Sequence, residues 1–177
     1  MKVILANVPY HNQRDDWNGD SLCFTKTCSM IAEYNGVANE ERYNEIRSSY
    51  GSSTIAHNQI RAMEYLGLNP QYSQKADWDT IRRVIDSGQP IGLGWLHHGH
   101  VSYPARNSGH WSLCYGYDDT GLYMRDPFGN PDLVNGVWIN QNSDIMFGRS
   151  LHYSYKNFGP RWLVEGPNTG WVIYNLA

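Results

Sequence analysis

Apolar residues in the first half of the chain recur with the spacing of amphipathic helices. Cys28, Ile31 and Ala32 share one face of a helix that follows Cys23 and ends at Gly36. The same pattern predicts three more helices, over residues 39–47, over residues 56–66, and after a capping aspartate at position 77. The first half of the chain is therefore predicted to be helical.

From Ile91 onwards the period changes to that of strands. Strands are predicted over residues 91–96, 111–117, 122–125 and 171–174, with a shorter one near residue 137. The third must stop at Asp126, because Pro127 cannot donate a hydrogen bond to a sheet. Helices followed by antiparallel strands predict an α+β protein in which N-terminal helices pack on a sheet.

Length and charge narrow the class of protein. The 177 residues correspond to one domain over residues 1–177. The net charge of −3 comes without any run of Lys and Arg, so no nucleic-acid partner is expected. The apolar runs are too short to cross a bilayer, and the first six residues lack the apolar stretch of a secretory signal. We expect a monomer that is made in the cytoplasm and does not insert into a membrane.

Cys23 lies at the end of a polar loop, directly before the first predicted helix. The unpaired N–H groups and partial positive charge of a helix N-terminus stabilise a thiolate, which is the nucleophilic form of cysteine. The alternative is a small buried apolar side chain, as expected for Cys28 and Cys114. Cys23 is therefore a candidate nucleophile.

His110 begins the strand predicted over residues 111–117, and Asp126 follows the end of the next strand. Two strands joined by a tight turn can bring such positions side by side, so that the carboxylate accepts one ring N–H and orients the imidazole. Taken separately, the histidine is better explained as a polar residue capping the strand, and the aspartate as a turn residue before proline. The order Cys, His, Asp, with each residue at an element boundary, favours a catalytic triad.

Gln13 lies in the polar loop upstream of Cys23. Its side-chain amide, together with the backbone N–H of Cys23, would complete an oxyanion hole for acyl transfer. A solvent-exposed glutamine is the simpler alternative from position alone.

A histidine cluster contains residue types that bind zinc. His97, His98, His100 and His110, with Cys23, supply enough ligands for a tetrahedral site. Adjacent histidines on a regular strand point to opposite faces, however, so the first two cannot both face one ion. We expect no metal and no cofactor at these residues.

Asp16, Asn18 and Asp20 have the alternate spacing of the first ligands in a calcium loop. The glycine and the acidic ligand expected at the sixth and twelfth positions are missing, since Ser21 and Thr27 stand there. A hydrated polar turn explains the spacing better; if calcium does bind, it would order the loop that carries the candidate catalytic residues.

Several motifs resemble those of one enzyme family. They are VPYHNQRD at residues 8–15, CFTKTCSM at 23–30, GHW at 109–111, GYD at 116–118 and DPFG at 126–129. In this order they resemble the double-glycine (bacteriocin-processing) peptidase-like branch of the papain-like cysteine peptidases. GWLH at 94–97 and YKNFGPRW at 155–162 resemble bacteriophage proteins of this type, among them lysins. The one departure is Phe24-Thr25-Lys26, where the family often has Gly-Pro-Thr.

The resemblance implies a papain-like fold with Cys23, His110 and Asp126 as the triad and Gln13 as the oxyanion donor. It implies a phage-type endolysin that cleaves an amide bond in the peptide part of peptidoglycan. Such an enzyme would be held in the infected host cell before release, or in the virion, and would act on the cell wall. Because no transporter domain follows, we do not expect processing of exported leader peptides.

Three alternatives remain open. Two are enzymes: an N-acetylmuramoyl-L-alanine amidase that cuts the sugar–peptide junction, and a virion-associated protease. The third is a non-catalytic wall-binding module. It rests on the aromatic content of 14%, with seven Trp and 13 Tyr, which suits sugar rings as well as an aromatic core.

Overall fold

The computed structural model describes residues 1–14, 21–139 and 146–177. The helices are α1 (Cys23–Tyr34), α2 (Glu40–Tyr50), α3 (Ala56–Tyr65), α4 (Trp78–Asp86) and α5 (Tyr155–Trp162). The longer strands are β2 (Pro70–Ala76), β3 (Ile91–Leu96), β4 (Gly109–Tyr117), β5 (Gly121–Arg125), β8 (Leu151–Ser154) and β9 (Gly170–Asn175). Three two-residue strands complete the set, namely β1 (Val3–Ile4), β6 (Pro131–Asp132) and β7 (Val137–Trp138).

The longer strands form one antiparallel sheet in the order β2-β9-β3-β4-β5-β8, with β1 paired to β4. Strands β6 and β7 pair separately as a small ribbon. Helices packed on an antiparallel sheet confirm the predicted α+β class. The central position of β4 between β3 and β5 matters for function, because it carries His110.

Each face of the sheet is covered by helices. Helices α4 and α5 pack on one face, where Leu93 and Phe158 belong to a single buried cluster. Helices α1 to α3 pack on the other face, where Ile31, Leu113 and Ile173 share a second cluster. Alternation along the strands divides the apolar side chains between these two cores.

Local sequence signals set several boundaries. Asp77 caps α4 in a reciprocal capping box with Thr80. Strand β5 ends at Arg125, directly before Asp126 and Pro127, as expected from the missing proline N–H. Helices α1 to α4 and strands β3, β4, β5, β7 and β9 all lie at or near their predicted positions.

Strands β2, β6 and β8 and helix α5 were not predicted. Strand β2 is the edge strand beside β9, and most of its residues are only partly buried or exposed, so its sequence lacks the alternation of a half-buried strand. Helix α5 contains Gly159 and Pro160, which argue against a helix. It is started instead by the Ser154 side chain, which accepts a hydrogen bond from the Asn157 N–H at 3.2 Å.

The cysteines follow the expectation from the sequence. Cys28 and Cys114 are completely buried within the two cores, and all three cysteines are free thiols. Within the described residues, we find no helix with the length and apolar character needed to span a bilayer.

Candidate active site

Cys23 is the first residue of α1 and is only partly buried. The residue before it, Leu22, has no side-chain acceptor, and the helix cap makes no side-chain hydrogen bond. The first turn also carries no acidic residue. The positive end of the helix dipole is therefore neither capped by a side chain nor neutralised by a carboxylate within this turn, and it lies at the thiol.

The departure from the family pattern after Cys23 is accommodated by specific contacts. Lys26 is buried and forms an ion pair with Glu40 of α2. Thr25 hydrogen-bonds the Ser53 hydroxyl at 2.6 Å and accepts the Gln59 side-chain N–H at 2.9 Å. The side chains that replace Pro and Thr thus attach the start of α1 to the helices behind it.

His110 is the second residue of β4 and is 4% exposed. Its Nε2 lies 2.8 Å from Oδ1 of Asp126. Cys23 lies close enough to the imidazole to raise its pKa. Since Nε2 is occupied by Asp126, Nδ1 is the ring nitrogen left for the thiol. The structure therefore brings together the three residues of the predicted triad.

Asp126 is completely buried, and both of its carboxylate oxygens are used. Oδ1 accepts the backbone N–H of Phe128 at 3.0 Å in addition to His110. Oδ2 accepts the hydroxyl of Tyr153 at 2.6 Å. Hydrogen bonds of this kind favour the ionised carboxylate and hold it in one orientation.

The protonation of His110 follows from these neighbours. Burial by itself lowers the pKa of an imidazole, but the Asp126 carboxylate and its hydrogen bond, together with Cys23, outweigh it. Together they raise the pKa of His110 to about 10. His110 is therefore an imidazolium at neutral pH, with a proton available for a leaving group.

Aromatic rings enclose His110 on several sides. The ring centroids of Trp95 and Trp138 lie 5.4 Å and 5.2 Å from that of His110, both nearly perpendicular to it. These rings exclude water from the His110–Asp126 pair, which strengthens its electrostatic interaction. Sequence reasoning identified neither Trp138 nor Tyr153 as part of the site, because both come from strands outside the recognised motifs.

Gln13 is 2% exposed, so it is not the solvent-facing glutamine of the simpler alternative. Its backbone N–H donates to the carbonyl of Pro127 at 2.9 Å. This bond ties the loop before α1 to the segment that follows Asp126. The loop therefore lies beside the triad, where an oxyanion donor is required.

A cavity of about 240 Å³ lies next to the triad. Its wall includes Gly109, His110 and Trp111 of β4. Trp111 also stacks on Phe24, the residue after Cys23. Its indole therefore lies between the cavity and the start of the helix that carries the thiol.

The cavity wall is mostly aromatic and apolar. Besides Trp111, it contains Trp95, Trp162 and Trp171, with Leu96 and Val164. Two glycines make room for these rings. A Cβ on Gly94 would lie 2.9 Å from Cζ2 of Trp111, and one on Gly170 would clash with Trp162.

The histidine cluster is arranged differently from the strand geometry assumed for it. Strand β3 ends at Leu96, so alternation does not apply, and the rings of His97 and His98 lie 3.8 Å apart. Burial, followed by the charge of His110, lowers the pKa of His97 to about 3 and keeps it neutral. His98 contacts the Gly136 carbonyl, and His100 contacts Ser102.

Across residues 1–14, 21–139 and 146–177, no group of three or more His, Cys, Asp or Glu side chains is placed to hold a metal ion. The calcium-type spacing of Asp16, Asn18 and Asp20 lies outside the described residues.

Comparison with known proteins places this geometry in a family. Residues 5–157 match the model of the Peptidase_C39 like family. A comparison with curated protein sequences found no match.

Three solved structures share the fold. A C39-like peptidase from Bacillus anthracis superposes with a TM-score of 0.68 at 16% identity, covering 100% of this chain and 98% of that one. The peptidase domain of Streptococcus ComA, a bifunctional ABC transporter of a quorum-sensing pathway, gives 0.55 at 16% identity, with 89% and 93% covered. A double-glycine motif protease from an AMS/PCAT transporter, in complex with its leader peptide, gives 0.55 at 13% identity, with 100% and 99% covered.

The family match covers most of the chain and agrees with the resemblance to double-glycine peptidase-like enzymes. The structural matches agree with the predicted packing of N-terminal helices on an antiparallel sheet. The chain belongs to the Peptidase_C39 like family and is a cysteine peptidase with a papain-like fold.

Proposed function

We propose that this peptidase cleaves an amide bond in the peptide part of peptidoglycan, as a phage-type endopeptidase. Cys23 is the nucleophile, His110 the general acid and base, Asp126 the residue that orients the imidazole, and Gln13 the oxyanion donor. The observation that favours a wall peptide is the tryptophan-walled cavity beside His110.

The proposed reaction uses these four residues in turn. The Cys23 thiolate attacks the scissile carbonyl carbon, and the oxyanion accepts hydrogen bonds from the Cys23 backbone N–H and the Gln13 amide. Nδ1 of His110 then gives its proton to the leaving amine, and a thioester with Cys23 remains. Water attacks the thioester, His110 takes a proton from it, and the thiolate leaves with the carboxyl product released. Asp126 holds Nε2 throughout.

The size of the cavity supports a substrate with large side chains. A volume of about 240 Å³ beside His110 accommodates a large side chain. One of the similar structures is a double-glycine motif protease, and glycine has no side chain that would occupy such a space. Wall peptides carry longer side chains, and tryptophan walls also suit the adjoining sugars.

The test is digestion of purified peptidoglycan followed by mass spectrometry of the released fragments. New amino groups on stem or cross-bridge residues are the result expected for an endopeptidase. Cys23→Ala serves as the control and should release nothing. Free lactyl carboxylates would instead identify an amidase.

A parallel digestion uses a peptide with two glycines before the scissile bond and a denatured protein. Cleavage of either of these, with no fragments from peptidoglycan, would show that the wall is not the substrate. Binding to peptidoglycan without any cleavage would favour the wall-binding alternative.

A further inference from the structure

Arg106 and Glu165 form an ion pair at the solvent side of the cavity. Arg106 comes from the loop before β4 and Glu165 from the loop after α5, 59 positions apart in sequence. Both side chains line the cavity, and they are 67% and 66% exposed. One cation and one anion therefore stand together where the cavity meets solvent.

The rest of the wall has the opposite character. It is formed by the rings of Trp111, Trp162 and Trp171 with Leu96 and Val164. A matching side chain has an apolar stem for the tryptophan walls and charged groups at its far end. Long side chains commonly bury their methylene stem in this way and keep the charge in water.

We propose that the cavity takes the side chain of a diamino acid that ends in both an ammonium and a carboxylate. Its methylenes lie between the tryptophans, its ammonium pairs with Glu165, and its carboxylate pairs with the Arg106 guanidinium, whose fork matches carboxylate geometry. This assignment rests on the proposed function, since diamino acids of this type occur in the stem peptides of cell walls.

The existing ion pair does not prevent this exchange. Solvent-exposed pairs are weak, because water competes for both charges and two flexible side chains must be held in place. A bound zwitterionic side chain gives Arg106 and Glu165 each a new partner of opposite charge. The net charge at the cavity entrance stays the same. Arg106 and Glu165 are thus the specificity-determining residues of the cavity.

Three synthetic stem tetrapeptides test the proposal. Their third residue is norleucine, lysine or meso-diaminopimelate, which supply no charge, an ammonium, or an ammonium with a carboxylate. We expect kcat/KM to rise from norleucine to lysine to diaminopimelate, by about fivefold at each step, the upper range for an exposed ion pair. Mass spectrometry of the products locates the bond that is cut.

Two variants test which charge of the substrate side chain Arg106 and Glu165 each bind. Arg106→Gln should lower the diaminopimelate-to-lysine ratio of kcat/KM about fivefold, and Glu165→Gln should lower the lysine-to-norleucine ratio by a similar factor. Arg42→Gln is the matched control: Arg42 is 55% exposed and pairs with Glu45 on α2, so it should leave both ratios at the wild-type value.

Different results would contradict the wall function and the diamino-acid assignment. Equal kcat/KM for the three peptides, with fragments still released from peptidoglycan, would overturn the diamino-acid assignment and leave the wall function intact. Wild-type ratios in Arg106→Gln and Glu165→Gln would overturn it as well. If neither the tetrapeptides nor peptidoglycan were cleaved while other peptides were, both the wall function and the assignment would be wrong.

Discussion

The rings of Phe24 and Trp111 stack face to face, with centroids 4.0 Å apart and planes inclined by 4°. These residues directly follow Cys23 and His110 in the chain. One contact therefore links the start of the helix that carries the thiol to the strand that carries the imidazole. We therefore expect the relative position of the Cys23 thiol and the His110 imidazole to depend on this stack.

Phe24→Ala should lower kcat more than it raises KM. Removal of the ring leaves α1 free to shift relative to β4, and small displacements of reacting groups cost large factors in rate. A loss of about 3–5 kcal/mol in the free energy of unfolding is expected as well, because Phe24 is 3% exposed. Steady-state kinetics and denaturant unfolding measure the two effects.

Met63→Ala separates the two effects of the Phe24 change. Met63 is fully buried in the same core as Phe24 and lies on α3, away from the triad. It should lose about 2–5 kcal/mol of stability with kcat nearly unchanged. If Met63→Ala lowered kcat as strongly as Phe24→Ala, the stack would have only a structural role.

Cys23→Ala should abolish turnover and leave the fold intact, because the partly buried thiol at the start of α1 is the proposed nucleophile. Cys28→Ala should retain turnover but lose stability, since Cys28 is fully buried and its removal leaves a small cavity. Activity assays and circular dichroism on both variants check this pair. Full activity in a folded Cys23→Ala protein would contradict the cysteine mechanism.

Asp126→Asn should move the alkaline limit of activity to lower pH. The pKa of His110 is raised to about 10 with the Asp126 carboxylate as a main cause, so wild-type activity should persist until pH rises towards that value. Without the negative charge the pKa of His110 falls, and the imidazolium that protonates the leaving amine is lost earlier. The measurement is kcat against pH for the two proteins.

Asp79→Asn is the control for a general effect of removing a carboxylate. Asp79 is 85% exposed on α4 and pairs with Arg82. The pH profile of the Asp79→Asn variant should match that of the wild type. An alkaline limit that stayed in place in Asp126→Asn would mean that the carboxylate does not set the protonation of His110.

Gly94→Ala should reduce kcat/KM for wall peptides. The added Cβ would lie 2.9 Å from the Trp111 indole, so the ring must move into the cavity or away from Phe24. Gly92→Ala is the matched control on the same strand, because a Cβ there would lie 2.9 Å from Ile173, which does not line the cavity. Equal rates in the two variants would show that the position of Trp111 is unimportant.

Much of the site could be predicted because its signals are local. Cys23 precedes an amphipathic helix, and Pro127 ends the strand before Asp126, so each lies at a boundary that sequence alone defines. His110 starts a strand joined to the next by a tight turn, and the antiparallel pairing of β4 with β5 then brings it to Asp126. The motifs around these residues indicated the family because they too are short local stretches of sequence.

Contacts between distant segments could not be predicted in this way. Tyr153 reaches Asp126 from β8, the Arg106–Glu165 pair joins two loops, and the polar strand β2 exists only by pairing with β9. None of these leaves a periodic or capping signal in its own segment, because each depends on which strands become neighbours in the sheet. The sequence by itself determined most of the elements and the candidate residues Cys23, His110 and Asp126. Only the tertiary structure decided the shape and charge of the cavity beside them, since a cavity is formed by side chains that packing brings together from separate parts of the chain.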